Sequence, residues 1–166
     1  METKETTQEF YLRPAVPEDL DTVAHLIKEL AIYERMEDEC KTTPELLKKS
    51  LFPKDGIPLV HVLIAIHEPS KSPVGFCLYF YNFSTFTGKP GLYLEDLFVR
   101  PEYRNKGLGK LFFAELKRIA NERGCSRMEW VVLDWNKPAR EFYGRMGAKE
   151  MTEWVICRLS GDSLLL

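Results

Sequence analysis

With 166 residues, 45% of them apolar and 29% charged, the chain has the size and composition of one soluble domain with a real hydrophobic core. A formal net charge of −2 gives no electrostatic footprint for nucleic acid, and no apolar run is long enough to span a membrane. The four cysteines are scattered without a CxxC pair and the three histidines show no metal-ligand spacing, so the reading is a metal-free protein of a reducing, cytoplasmic compartment.

Residues 1–9 are polar and read as a flexible tail without a signal peptide, and residues 10–166 as a single domain. Phe10-Tyr11-Leu12 predicts a short strand. Pro17, Glu18 and Asp19 open a helix, proline suiting its first turn and carboxylates its positive end. Leu20, Val23, Leu26, Ile27 and Leu30 carry that helix at regular spacing. Thr43-Pro44-Glu45 caps and starts a second helix that runs through Leu46, Leu47 and Leu51. Residues 60–66 and 74–81 predict an antiparallel hairpin, and residues 92–99 a central strand. A helix over 107–123 buries Leu108, Leu111, Phe112, Leu116 and Ile119 and stops at Gly124. A strand over 128–133, a short helix over 138–146 and a final strand over 150–159 complete the chain. Cys77 and Cys157 lie in apolar runs and read as buried thiols. The fold class is α/β (α+β): a mixed, mostly antiparallel sheet flanked by helices on both faces, its two late β-α-β steps joining parallel strands.

The strongest chemical signal is Arg104-Asn105-Lys106-Gly107-Leu108-Gly109, between the central strand and its helix. Glycines there admit a ligand to the backbone, and helix amides with nearby cations attract phosphate. The spacing is neither GxGxxG nor GxxxxGK[ST], so it does not support a dinucleotide fold or a nucleoside triphosphatase. In the preceding strand, alternation puts Tyr93, Glu95, Leu97 and Val99 on one face and Leu94, Asp96 and Phe98 on the other. A carboxylate within an apolar strand reads as a pocket residue whose pKa burial raises. Tyr143, on the last helix, is a candidate general acid, and the amide of Asn136 a candidate ligand contact. No residue reads as a covalent nucleophile.

In this order the residues resemble the GNAT superfamily of N-acetyltransferases that use acetyl-coenzyme A. Tyr93-Leu94-Glu95-Asp96, Pro101-Glu102-Tyr103-Arg104 and Asp134-Trp135-Asn136 resemble its diamine acetyltransferase family, which includes spermidine/spermine and thialysine acetyltransferases. The resemblance implies that Leu97, Phe98 and Val99 run along the pantetheine arm of acetyl-CoA. It implies that Arg104, Asn105, Lys106, Gly107, Leu108, Gly109 and Lys110 hold the pyrophosphate, with Asn136, Lys137, Pro138, Ala139 and Tyr143 along the coenzyme. Substrate contacts would fall on Tyr33, Glu34, Ser84, Glu95, Glu129, Trp130 and Val131. Glu95 and Tyr143 would be catalytic, as proton acceptor and donor. Thr152-Glu153-Trp154 is shorter than the family's acidic turn, which leaves Glu153 without an implied role.

The expected activity is direct transfer of acetyl in a ternary complex to the primary amine of a small diamine or amino acid of the thialysine type. Spermidine or spermine is the alternative acceptor. From another class, the alternative is a non-catalytic acyl-CoA-binding or protein-interaction module, with Phe83 and Phe86 as a contact patch. The resemblance also implies a homodimer, with no nucleic-acid or membrane partner.

Overall fold

The computed structural model describes residues 9–165, so the expected tail lies outside it except for Glu9. Glu9 is tied in, its carbonyl accepting the Glu68 amide at 2.8 Å. The chain divides into two units, Met1–Val131 and Val132–Leu166.

The first unit is built on strands β1 (Phe10–Pro14), β2 (His61–His67), β3 (Ser72–Ser84), β4 (Lys89–Val99) and β5 (Met128–Glu129). They lie in chain order, the first four antiparallel and β5 parallel to β4. The β3–β4 hairpin is longer than its apolar residues predict, because pairing continues out to Ser84 and Lys89. A 3-10 turn at Pro17–Asp19 leads into helix α1 (Leu20–Tyr33). Helix α2 (Pro44–Leu51) is capped by Thr43, whose Oγ1 accepts the Leu46 amide at 3.3 Å.

Val23, Leu26 and Leu30 of α1 and Leu47 and Leu51 of α2 pack on Val62, Ile64, Ile66, Phe76, Leu78 and Phe98. Those strand residues alternate and so mark one face of the sheet. Helix α3 (Leu108–Glu122) lies over the other face, where Ile119 and Leu63 line a common cavity. Phe112 and Phe76 are both fully buried, one from α3 and one beneath α1, and truncating either to Ala would cost roughly 3–5 kcal/mol.

Two expectations need correcting. Leu78 pairs with Asp96 but Tyr79 with Leu94, so Glu95 is an extra residue, a β-bulge. Alternation fails across it. Asp96 and Phe98 share the face of Leu78 and Phe76, whereas Leu94 joins Tyr79 on the α3 side. The grouping of Leu94 with Asp96 and Phe98 is therefore wrong.

The second correction concerns the C-terminal third. β5 has two residues rather than six, and residues 150–159 form no strand. Trp154, Val155, Ile156 and Leu159 are exposed, and so is Cys157, which apolar context had placed inside. A strand persists only beside a hydrogen-bonded neighbour, and no described residue pairs with this segment. One of the two expected parallel β-α-β steps is thus present, β4-α3-β5.

The second unit holds helix α4 (Lys137–Arg145), whose N-cap Asn136 is buried and accepts the Ala139 amide through Oδ1 at 3.4 Å. An Arg140–Glu150 ion pair at 2.7 Å ties this helix to the chain that follows it. Among the described residues, no helix is long and apolar enough to cross a membrane.

Candidate active site

β4 bonds to β5 only through Leu92–Met128 and Tyr93–Glu129. Beyond them, the β4 edge facing away from β3 has no strand partner among the described residues, and Leu97, Phe98 and Val99 lie on that open edge. Its N–H and C=O groups need partners from elsewhere. An extended ligand arm could supply them.

The chain leaves β4 through a 3-10 turn at Pro101–Tyr103 and reaches a loop with two left-handed positions, Asn105 at φ 60° and Gly107 at φ 87°. These bends set up the start of α3 at Leu108. That start has no side-chain cap and no acidic residue in its first turn. The amides of Leu108, Gly109 and Lys110 therefore sit at a positive helix end that an anion would complete. The pyrophosphate of a coenzyme fits this donor set. Lys110 is exposed beside it, while Lys106 lies 3.6 Å from the Glu9 carboxylate and 5.4 Å from the Tyr103 ring centre.

Arg104 turns inward. Its Nε donates to the Val99 carbonyl at 2.8 Å, and its guanidinium lies 4.5 Å from the Tyr33 ring centre and 5.7 Å from that of Phe98. It braces the loop against the end of α1. Arg100 makes a second brace, gripping Glu29 of α1 at 2.7 and 3.0 Å and donating to the Pro73 carbonyl at 2.9 Å.

Within this frame the acidic residues gather. Burial raises the Glu34 carboxyl above its ordinary range. Asp96 is pushed up to about 7, chiefly by burial and then by the charges of Glu95 and Glu34. Glu95 itself is exposed at the bulge. A carboxyl that feels two further carboxylates suits a substrate with more than one positive charge. It is poised to exchange a proton near neutral pH.

The remaining expected residues scatter more widely. Glu129 pairs with Tyr93, accepts from Asn82 Nδ2 at 3.1 Å and holds Arg127 at 2.9 Å. Trp130 packs edge-on against Phe113 at 5.3 Å, and Val131 is exposed. Ser84 is buried at the hairpin tip, and it lies six residues along β3 from Leu78, the partner of Asp96, or roughly 20 Å at strand rise. It does not join the acidic group of its own chain. Asn136, Lys137, Pro138, Ala139 and Tyr143 belong to the second unit. Asn136 caps α4, and the Tyr143 ring, half-buried, tilts against Phe142 at 5.5 Å. Among the described residues, no cluster of His, Cys, Asp or Glu is placed to hold a metal ion.

Sequence reasoning names Glu95 and Asp96 as strand carboxylates, and the resemblance puts the proton acceptor at Glu95. The bulge turns Asp96 towards α1 and leaves it half-buried there, and only a break in alternation signals that. The Arg100–Glu29 clamp had no sequence signal at all.

Comparison with known proteins agrees with this geometry. Residues 25–148 match the acetyltransferase (GNAT) family. The thialysine N-epsilon-acetyltransferase of Sus scrofa is 35% identical over 162 residues, covering 92% of this chain and 94% of that one. The L-ornithine N5-acetyltransferase of Arabidopsis thaliana is 31% identical, covering 92% of this chain and 85% of its own. Among solved structures, an integron cassette protein from the mobile metagenome of V. cholerae superposes with a TM-score of 0.76 at 25% identity, covering 95% of this chain and 96% of that one. An open sheet edge, an anion-ready helix start and a match of this extent lead to one family: the chain belongs to the GNAT acetyltransferases and is an N-acetyltransferase.

Proposed function

We propose that the chain transfers acetyl from acetyl-CoA to the side-chain amine of a small cationic amino acid of the thialysine type. The observation that carries this reading is the Asp96 carboxyl at about 7, set among Glu95 and Glu34. The two curated relatives support the acceptor class, since by name one is a thialysine N-epsilon- and the other an ornithine N5-acetyltransferase.

A lysine-like amine has a pKa near ~10.4, so neutralising it at pH 7 costs roughly 4–5 kcal/mol. The sulfur of thialysine withdraws electrons and lowers that cost. Acetyl-CoA, when bound, supplies an activated acetyl thioester. Glu95, exposed on the bulge, receives the incoming ammonium, and Asp96 beside it takes the proton. Glu34 with Tyr33 holds the second positive charge of the substrate. The backbone amide of Leu97, on the open β4 edge, stabilises the carbonyl oxygen as charge develops there. The N–C bond forms as the C–S bond breaks; Tyr143 donates its phenolic proton to the departing thiolate and is reprotonated by the second proton that the nitrogen sheds on becoming an amide. Transfer is direct, without an acetyl-enzyme. The working unit is a homodimer, and exposed Phe83 and Phe86 at the β3–β4 tip support an apolar contact.

A steady-state panel of thialysine, lysine, ornithine, spermidine, spermine and a lysine peptide tests the acceptor. The expected result is highest kcat/KM on thialysine or ornithine, cut many-fold in Glu95→Gln and Asp96→Asn. Preference for spermidine would overturn the acceptor and keep the chemistry. Coenzyme binding without turnover of any amine would overturn the enzyme reading. Sedimentation showing monomer alone at micromolar concentration would remove the dimer.

A further inference from the structure

A cavity of about 340 Å³ opens beneath the C-terminal half of α3, away from the acyl-transfer site. Its helical wall begins at Glu115 and ends at Arg123, roughly 12 to 24 Å along the axis from Gly107. Leu108, Phe112, Phe113, Leu116 and Ala120 are buried along the helix, whereas from Glu115 onward the side presented to the cavity carries Glu115, Arg118 and Glu122 beside Ile119, with Arg123 just past the helix end. A closed core would carry apolar side chains there.

The floor is aromatic. His61 stacks on Tyr79 at 5.2 Å with planes 28° apart, and Tyr81 meets it edge-on at 5.7 Å. Among the described residues, neither nitrogen of the His61 ring has a hydrogen-bond partner, and burial with the nearby Arg123 charge keeps the ring on its neutral side. The rim's two glutamates and two arginines cancel in sum but not in place. Arg118 pairs with Glu115 at 2.6 Å and also with Glu122, which satisfies both carboxylates. Arg123 lies 5.4 Å from the Tyr81 ring centre, and no carboxylate among the described residues pairs with it. A guanidinium held by Tyr81 but without a carboxylate partner, a neutral imidazole with open nitrogens and two tyrosine rings thus share one small cavity.

We propose that this cavity is a second small-molecule site, taking a planar aromatic carboxylate whose ring packs beside the stacked His61–Tyr79 pair and whose anion meets Arg123. Arg offers a carboxylate two parallel N–H donors, and the volume falls in the range of small-ligand pockets. A cationic ligand is disfavoured because Arg118 already occupies both glutamates.

The test uses the full chain labelled at the histidine Cε1 positions, with His61 assigned by its loss in His61→Gln, and benzoate as the probe. Benzoate should shift the His61 signal saturably at millimolar concentration and leave His25 and His67 unmoved. Arg123→Gln should weaken that response roughly tenfold or more, with Arg123→Lys between the two. Benzamide should bind more weakly than benzoate, and benzylamine should not move His61. Arg123 is exposed, so the variants should keep the parent melting temperature, which is measured alongside. No saturable shift at His61, an unchanged response in a folded Arg123→Gln, or an equal response to benzylamine would each overturn the proposal.

Discussion

Replacing Asp96 by Asn separates what the carboxyl does for catalysis from what it costs the fold. Its pKa rises from the 3.8 of an unperturbed aspartate to about 7 in the folded chain, mainly through burial. Below 3.8 both states hold the proton and the group is neutral in its effect. As pH climbs from there towards 7, the unfolded chain ionises and the folded chain does not, so stability is lost; above 7 the loss is complete. Each pH unit in that window is worth ~1.36 kcal/mol, so the two units between pH 5 and 7 amount to about 3 kcal/mol. Asn keeps the shape and cannot ionise. Its stability relative to the parent should therefore rise by about 3 kcal/mol between pH 5 and pH 8, as an upper bound, while activity falls. Urea unfolding of both proteins at the two pH values reads the difference directly. The kcat/KM profile of the parent should climb through a limb near 7, and that limb should vanish in Asp96→Asn. A stability difference that is the same at both pH values would refute the burial of this carboxyl and, with it, its place as proton acceptor.

Tyr143→Phe should lower kcat roughly 10²-fold with little change in the amine KM, because only proton delivery to the leaving group is removed; unchanged kcat would exclude it as the acid. Gly107→Ala meets no atom within 4 Å, so its effect is pure backbone strain at φ 87°, about 1–2 kcal/mol in thermal unfolding, with weaker acetyl-CoA binding by calorimetry. Glu29→Gln removes the charge that Arg100 grips across the gap from β4 to α1 and should cost about 1–3 kcal/mol in urea, with a larger cost for Glu29→Ala.

The helices were legible because their signals are local. Thr43 and Pro44 mark the start of α2, Gly107 sits one residue before α3, and the apolar stripe of α3 follows its period to the buried Phe112 and Leu116. The anion-ready loop was legible for the same reason, since glycine and charge spacing act where they stand. What failed was non-local. Residues 150–159 have a strand's composition, but a strand exists only where a neighbour's backbone is free to pair with it, and sequence does not name the neighbour. Arg104 read as a phosphate contact by position, and the structure also gives it the Tyr33 ring and the Val99 carbonyl, both brought near by the fold.

The bulge at Glu95 connects these outcomes. It inverts the faces of β4, which sends Asp96 into the α1 side and lifts its pKa. A bulge also bends its strand, and the β4–β5 ladder ends at Tyr93, two residues before it, leaving the following edge open for a ligand. If the bulge is what leaves that edge open, deleting Glu95 should close it while Asp96 stays opposite Leu78 on the α1 side. With Glu95 deleted, Leu94 and Asp96 become consecutive opposite Tyr79 and Leu78, and pairing with β3 becomes regular. The deletion should fold, because no buried side chain changes face, yet lose acetyl-CoA binding as well as turnover. Glu95→Gly is the control, keeping the extra residue without its carboxylate, and it should lose turnover while still binding the coenzyme. Were the deletion to bind acetyl-CoA as tightly as Glu95→Gly, the open edge would owe nothing to the bulge, and the carboxylate alone would account for the position.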